Sequence, residues 1–321
     1  MKNSLKIKCL ALLTFFAILG TSCDNDDDDN SAPVDNTITG IASKTSNLSI
    51  LVQALIKADL ATTLQASGSY TVFAPTNAAF TSFLATTPYT TINDVPKAVL
   101  TEILLNHVIS GSVKSSDLTT GYIKTLAKGS ASATNTLSMY VNTGSSMVML
   151  NGGAMVTTAD IMASNGVIHI VDEVIGLPTI VTHATANPNF TSLVGALTGA
   201  GQPDFVSILS GTGPFTVFAP TNDAFTALNT ELAPGGIAGV SATNLTKVLQ
   251  YHVVSGNILA ASLTEGQVVT TLQTPQTFTI QLTGGAKIKD ANNRISTIIA
   301  TDVQCSNGVI HVLNKVLLPI L

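Results

Sequence analysis

Histidine, cysteine and aspartate are the side chains in this 321-residue chain with the means to do chemistry, and their spacing decides whether they do it together. His107 and His252 recur 145 residues apart, each at the end of an apolar helical pattern, and His169 and His311 recur 142 apart inside apolar strand-like runs. A zinc site would ask for a second His at i+4, or for a Cys or carboxylate converging on the same point. Neither local spacing occurs, and there is no G-x-S-x-G elbow, no phosphate-binding P-loop and no H-E-x-x-H. The expectation is therefore no catalytic residue, no metal and no cofactor. His107, His169, His252 and His311 are assigned structural roles, each imidazole trading hydrogen bonds with buried backbone. His183 falls between the two sets and has no counterpart.

The three cysteines are spread over three fates. Lys2, Lys6 and Lys8 precede an apolar run of eleven residues from Cys9 to Leu19, and Gly20, Thr21 and Ser22 are small. A run of that length falls short of the about 20 residues a permanent span needs, so residues 1–22 read as a cleaved signal peptide. The segment LGTSC resembles a bacterial lipobox, which implies that Cys23 is lipidated. Gly20 stands where that motif usually has Leu, which leaves cleavage without a lipid open. Cys305 then has no partner for a disulfide, and in the apolar stretch IIATDVQCSNGVIHV it reads as a small buried hydrophobe.

Residues 23–37 are the acidic tether. DNDDDDNSAPVDN has almost nothing apolar to bury, and its like charges repel. It resembles the acidic export signal that sends some lipoproteins to the outer face of the outer membrane; a plain spacer or a calcium-attracting patch are the alternatives. The patch lacks the alternating ligands, turn Gly and terminal Glu of an EF-hand loop. Removing three Lys with the signal takes the net charge from −5 to −8. With no basic footprint, nucleic acid is excluded as a partner. Charged residues make up only 10% of the chain, low for a cytoplasmic protein and compatible with a secreted one.

The elements that must position the histidines come twice. TVFAPTNAAF at Thr71–Phe80 returns as TVFAPTNDAF at Thr216–Phe225. LLNHVISG at Leu104–Gly111 returns as LQYHVVSG at Leu249–Gly256, and SNGVIHIVDEVI at Ser164–Ile175 returns as SNGVIHVLNKVL at Ser306–Leu317. Three blocks in one order make a duplicated domain, far longer than a solenoid unit. Within each copy, Leu48, Leu51, Val52, Leu55 and Ile56, and again Phe190, Leu193, Val194 and Leu197, place an apolar stripe on a helix. TVFA should be an alternating strand, ended by Pro75 or Pro220. Thr76 or Asn77, and Thr221 or Asn222, should cap the helix that follows. PKAVLTEILLNHV and NLTKVLQYHV predict another helix. Asn151-Gly152-Gly153 and Gly284-Gly285 predict hairpin turns, and Asn165-Gly166 and Asn307-Gly308 predict type I′ turns. Helices early and hairpins late give an α+β class with a largely antiparallel sheet. The break is placed near Pro178, giving domains 38–177 and 178–321 with a short linker around Leu177 to His183.

These three blocks resemble the first, central and last conserved blocks of fasciclin domains, twice over and in order, across residues 38–321. The resemblance implies two tandem fasciclin-like domains, each a β-sandwich-like core with packed helices, and a non-catalytic extracellular adhesion or binding role. The partner expected is an unknown extracellular protein or glycan; the lipobox and the acidic run imply in turn that the membrane is reached through a lipid anchor only, at the outer membrane and facing the exterior. In adhesive animal members an Asp-Ile segment before the last block resembles an integrin-recognition site, and Asp160-Ile161-Met162 stands there, with Asp302-Val303-Gln304 in the second copy. The bland alternative makes Ile161 and Val303 core residues and the Asp a turn acid. A surface glycan-capture protein is the runner-up function, which would need an exposed aromatic platform from a chain with no Trp and few Phe and Tyr. An enzyme of unknown type is the third reading.

Overall fold

The computed structural model describes residues 34–144 and 147–321, and residues 35–321 form one compact unit. Cys23 and the acidic run lie outside the described residues. The first copy runs α1 (Ile38–Lys44), α2 (Ser49–Lys57), α3 (Ala61–Gln65), β1 (Tyr70–Pro75), α4 (Asn77–Ala85), α5 (Lys97–Asn106), β2 (Val108–Ser110), β3 (Gly121–Lys128), β4 (Thr136–Asn142), β5 (Met149–Leu150), β6 (Ala154–Ala163) and β7 (Gly166–Val171). The second runs α6 (Ile180–Ala186), α7 (Thr191–Leu197), α8 (Phe205–Ser210), β8 (Phe215–Pro220), α9 (Asn222–Glu231), α10 (Ala242–Tyr251), β9 (Val253–Ser255), β10 (Val268–Thr270), β11 (Thr277–Gln281), β12 (Lys287–Lys289), β13 (Ile295–Cys305) and β14 (Gly308–Leu313). Each copy builds a seven-stranded sheet, β2-β1-β7-β6-β5-β4-β3 and β10-β11-β12-β13-β14-β8-β9. Among the described residues only β1 with β7 and β8 with β14 pair in parallel. The class is α+β, as the helical and strand patterns require.

TVFA is a strand, but it does not alternate between core and solvent, because every residue from Thr71 to Pro75 is buried. The alternation is between two cores. Val72 and Ala74 join the helices in one apolar cluster with Leu48, Leu51 and Leu104, whereas Phe73 points the other way into a second cluster with Met139, Val141 and Leu150. A strand covered on both faces is what a parallel pairing demands. Val217 and Ala219 against Phe218 repeat the arrangement.

Thr76 and Thr221 take the caps of α4 and α9, accepting from the N–H of Ala79 and Ala224. Asn77 and Asn222 do something else: their Oδ1 accepts from the N–H of Ile50 and Ser192, tying α2 to α4 and α7 to α9. Of the first stripe, Leu48 just ahead of α2 and Leu51 and Leu55 within it are buried and Val52 is half-buried, but Ile56 is 62% exposed, since a helix this short meets the core on a narrower arc than five positions.

The Asn-Gly steps also depart from expectation. Asn165 and Asn307 are not left-handed, so the turns are not type I′. Instead Ser164-Asn165 bridges Ala163 to Gly166, and Asn165 is a buried staple: Oδ1 accepts from Ile38 N–H at 2.9 Å, and Nδ2 donates to Leu64 O at 2.7 Å and Ala66 O at 2.9 Å. Asn307 does the same with Ile180, Leu209 and Gly211. Gly166 and Gly308 are needed for close approach, because a Cβ there would stand 2.0 Å from the carbonyl oxygen of Tyr70 or Phe215. The expected turns at Asn151-Gly152 and Gly284-Gly285 do form, with positive φ at each position.

The stretch assigned to a linker is largely structured. Thr179 caps α6 in a capping box with Thr182, so His183 sits in the first helix of the second copy and not in a linker. Its counterpart in α1 is Ile41, since Ile38 and Ile180 donate to the equivalent asparagines.

The two copies meet along one face. Lys124 Nζ on β3 donates to Asp302 O at 2.8 Å, and Gln304 N–H donates to Ser138 Oγ on β4 at 3.0 Å. Ala131 N–H and Ser130 Oγ both reach Ser306 O, and Asn187 Nδ2 reaches the Tyr122 hydroxyl at 3.2 Å.

Candidate functional site

Each repeated pattern places its histidine where backbone groups at a helix end, a bulge or a loop need partners. His107 follows the last turn of α5, and its Nδ1–H donates to Ile103 O at 2.7 Å while Nε2 accepts from Ile175 N–H at 2.8 Å. His252 repeats this with Val248 O at 2.7 Å and Leu317 N–H at 2.9 Å. Because Nε2 must accept, the proton is on Nδ1 and the ring is neutral. Burial pushes both pKa values down to about 4, opposed by the carbonyl each ring donates to.

His169 on β7 uses the other tautomer. Its Nε2–H donates to Val113 O at 3.0 Å and Nδ1 accepts from Asp160 N–H at 3.2 Å, with the ring stacked on Phe73 at 5.5 Å. His311 matches, with Ile258 O, Asp302 N–H and Phe218, and burial lowers its pKa. No ring nitrogen of these four is left to bind a metal. Among the described residues no group of three or more His, Cys, Asp or Glu could hold an ion. Cys305 is buried, and desolvation drives its thiol pKa up, away from a nucleophilic thiolate.

Asp160 and Asp302 sit at bulges in β6 and β13 with φ of 61° and 58°. Asp160 accepts from Ser115 N–H at 2.8 Å and Ser115 Oγ at 2.6 Å, bonds that lower its pKa, and Asp302 accepts from Ala260 N–H at 2.8 Å. Ile161 is half-buried against the first helical cluster, and Met162 beside it is 56% exposed. The two copies of this segment differ in their surroundings: Asp302-Val303-Gln304 is covered by Lys124 and Ser138 of the first copy, whereas Asp160-Ile161-Met162 takes no such bond from the other copy. No sequence pattern distinguishes them.

Two shallow grooves lie at matching places beside α2 and α7, one past Ile50, Leu84 and Tyr89 and one past Ala196, Phe225 and Leu245. Neither is lined by a carboxylate, imidazole, amine or thiol. No described Phe or Tyr is exposed, so the aromatic platform a glycan site would need is not present among the described residues.

The comparisons with known proteins agree with this geometry. The fasciclin domain profile matches residues 46–178 and again 188–319. "Protein sll1483" of Synechocystis is 43% identical over 143 residues, covering 44% of this chain and 73% of that protein. Transforming growth factor-beta-induced protein ig-h3 of Sus scrofa is 26% identical over 264 residues, covering 80% of this chain and 35% of that much longer protein. Among solved structures, a FAS1 domain pair from the insect cell adhesion molecule fasciclin I superposes with a TM-score of 0.53 at 19% identity, over 86% of this chain and 97% of that one, a likeness of fold. A tandem match over most of its length, on a sheet-and-helix pair repeated twice, shows that this chain belongs to the fasciclin domain family.

Proposed function

We propose that the chain is a non-catalytic adhesion module on the cell surface, held to the outer membrane by a lipid on Cys23 and binding an extracellular protein or glycan through the Asp160–Met162 end of its first domain. The observation that supports it most is the use made of the side chains able to do chemistry. In both copies the matched histidines are spent on backbone groups, which favours surface contact as the means of action. A fasciclin pair from an insect cell adhesion molecule with the same fold points the same way. Among the described residues no helix is long and apolar enough to cross a membrane.

The purified protein is to be screened against matrix proteins, glycans and the surface of its own cells. Asp160→Asn keeps an acceptor for Ser115, and Met162→Ser changes an exposed side chain. Each is expected to weaken binding about tenfold with melting nearly unchanged, as for loss of a contact of roughly 1.4 kcal/mol. Full binding by both variants would remove the segment from the proposal. Cys23→Ala should lose fatty-acid labelling and leave the membrane fraction; retention there would remove the anchor.

A further inference from the structure

His183 is the one described histidine whose ring has no hydrogen-bond partner. It is fully buried on α6, where that helix meets β3 and β4 of the first domain, and neither Nδ1 nor Nε2 reaches a donor or acceptor in bonding geometry. Tyr122 packs edge-on against it at 5.3 Å. In α1 of the first domain the same position is Ile41, half-buried, so an apolar residue suits the helix. The imidazole stands in the copy whose first helix packs against the other domain, at Tyr122.

We propose that His183 is an acid-sensitive latch between the two domains: neutral, it packs in the closed interface, and protonated, it cannot stay there, so acidification separates the domains before it unfolds them.

The charged and titratable groups around the interface offer the imidazolium no counter-charge. On β3 are Lys124, whose ammonium opposes a second cation, and Tyr122, whose pKa burial raises. Tyr140 on β4 lies against Tyr122 at 5.1 Å, and its pKa is also raised by burial. On β13, Cys305 stays a thiol, and Asp302 is within Coulombic reach of Lys124, with its carboxylate turned to Ala260 N–H. Desolvation brings the pKa of His183 down to about 3, although the backbone of Ser138 and Gln304 lies near enough to favour the proton slightly. Those backbone groups fall outside hydrogen-bond geometry, so burial wins.

The sign follows from proton counting. Once the interface opens, the ring returns to an ordinary value near 6.5. The closed form therefore binds fewer protons, and the closed-to-open ratio falls by up to about tenfold per pH unit as pH drops from 6.5 toward 3. Above 6.5 the ratio is constant.

Hydrogen exchange at amides bonded across the interface reads this ratio even when opening is rare. Gln304 N–H and Ala131 N–H both cross it, and Ile298 N–H, bonded to Ala286 O within the second domain toward the other end of β13, is the control. In the full chain in detergent, protection at Gln304 and Ala131, corrected for intrinsic exchange, is expected to fall by up to about a hundredfold between pH 6.5 and 4.5, with Ile298 lagging. His183→Phe and His183→Ile are expected to abolish that slope. A wild-type slope of zero, or the same slope in both variants, overturns the latch. Should neither variant close, NMR titration of the wild-type ring decides: a midpoint far below 6.5 supports it, and a midpoint near 6.5 in the closed protein overturns it.

Discussion

His107 and His252 show how a residue able to do acid–base work is put to structural use. Each ring bridges the end of a helix to the segment after the last strand, donating to one and accepting from the other, and both nitrogens are consumed. Truncating one ring leaves a carbonyl and an N–H unpaired in the core, so His252→Ala is expected to cost the second domain about 1–3 kcal/mol in urea unfolding. Zinc or copper is expected to leave the wild-type melting temperature unchanged; a metal-dependent rise that His252→Ala removes would restore a metal site. The same burial predicts an acid dependence. The folded pKa, about 4, lies below the unfolded 6.5, so the unfolded chain takes up protons first. Stability from these two rings is full above pH 6.5, declines as pH falls to about 4, and is level below. Urea midpoints measured from pH 7.5 to 4 check this, and a midpoint that rises on acidification would contradict it.

At the scale of elements, the parallel contact between β1 and β7 is the constraint on which both cores hang. It exists because Gly166 lets the strands close on the carbonyl of Tyr70, and because Asn165 ties the hairpin end to α1 and to the end of α3. Gly166→Ala forces a strand apart and is expected to destabilise the first domain by about 3 kcal/mol or more, at the severe end for a single substitution. Gly176→Ala meets nothing within 4 Å and is expected to change stability by less than about 0.5 kcal/mol. Thermal melts of the two variants should differ accordingly; similar melts would mean that the sheet absorbs the added methyl.

At the scale of the whole molecule, each copy owns two apolar clusters and its own asparagine staple, with few bonds shared between copies. Residues 38–177 and 178–321 expressed apart are therefore expected to unfold cooperatively, each at a lower temperature than in the pair because the contacts of Lys124, Ser138 and Gln304 are lost. An unfolded half would mean that the interface is part of its core. Lys124→Met removes one cross-domain donor and is expected to loosen the pair without unfolding either half, seen as raised exchange at Gln304 and Ala131 N–H with Ile298 N–H unchanged.

The sequence by itself determined the duplication, the α+β class and the family, and narrowed the helix caps to Thr76 or Asn77 and Thr221 or Asn222, because each is carried by local chemistry or by a repeat of closely similar blocks. It placed His107, His169, His252 and His311 at matched positions, but could not name their partners, which lie up to 68 residues away in the chain. The Asn-Gly steps misled for the same reason. Local turn preference favours a left-handed Asn, and three buried hydrogen bonds from Asn165 to α1 and to Leu64 and Ala66 outweigh it. Only the tertiary structure decided that α6 starts where a linker was expected, that His183 is buried between domains, and that one Asp-containing segment is covered while its twin is open. Those facts depend on which surfaces of the two copies meet, and Tyr122, Lys124 and Ser138 on one side and His183, Asp302 and Gln304 on the other lie outside the repeated blocks, where no local pattern says what will face what.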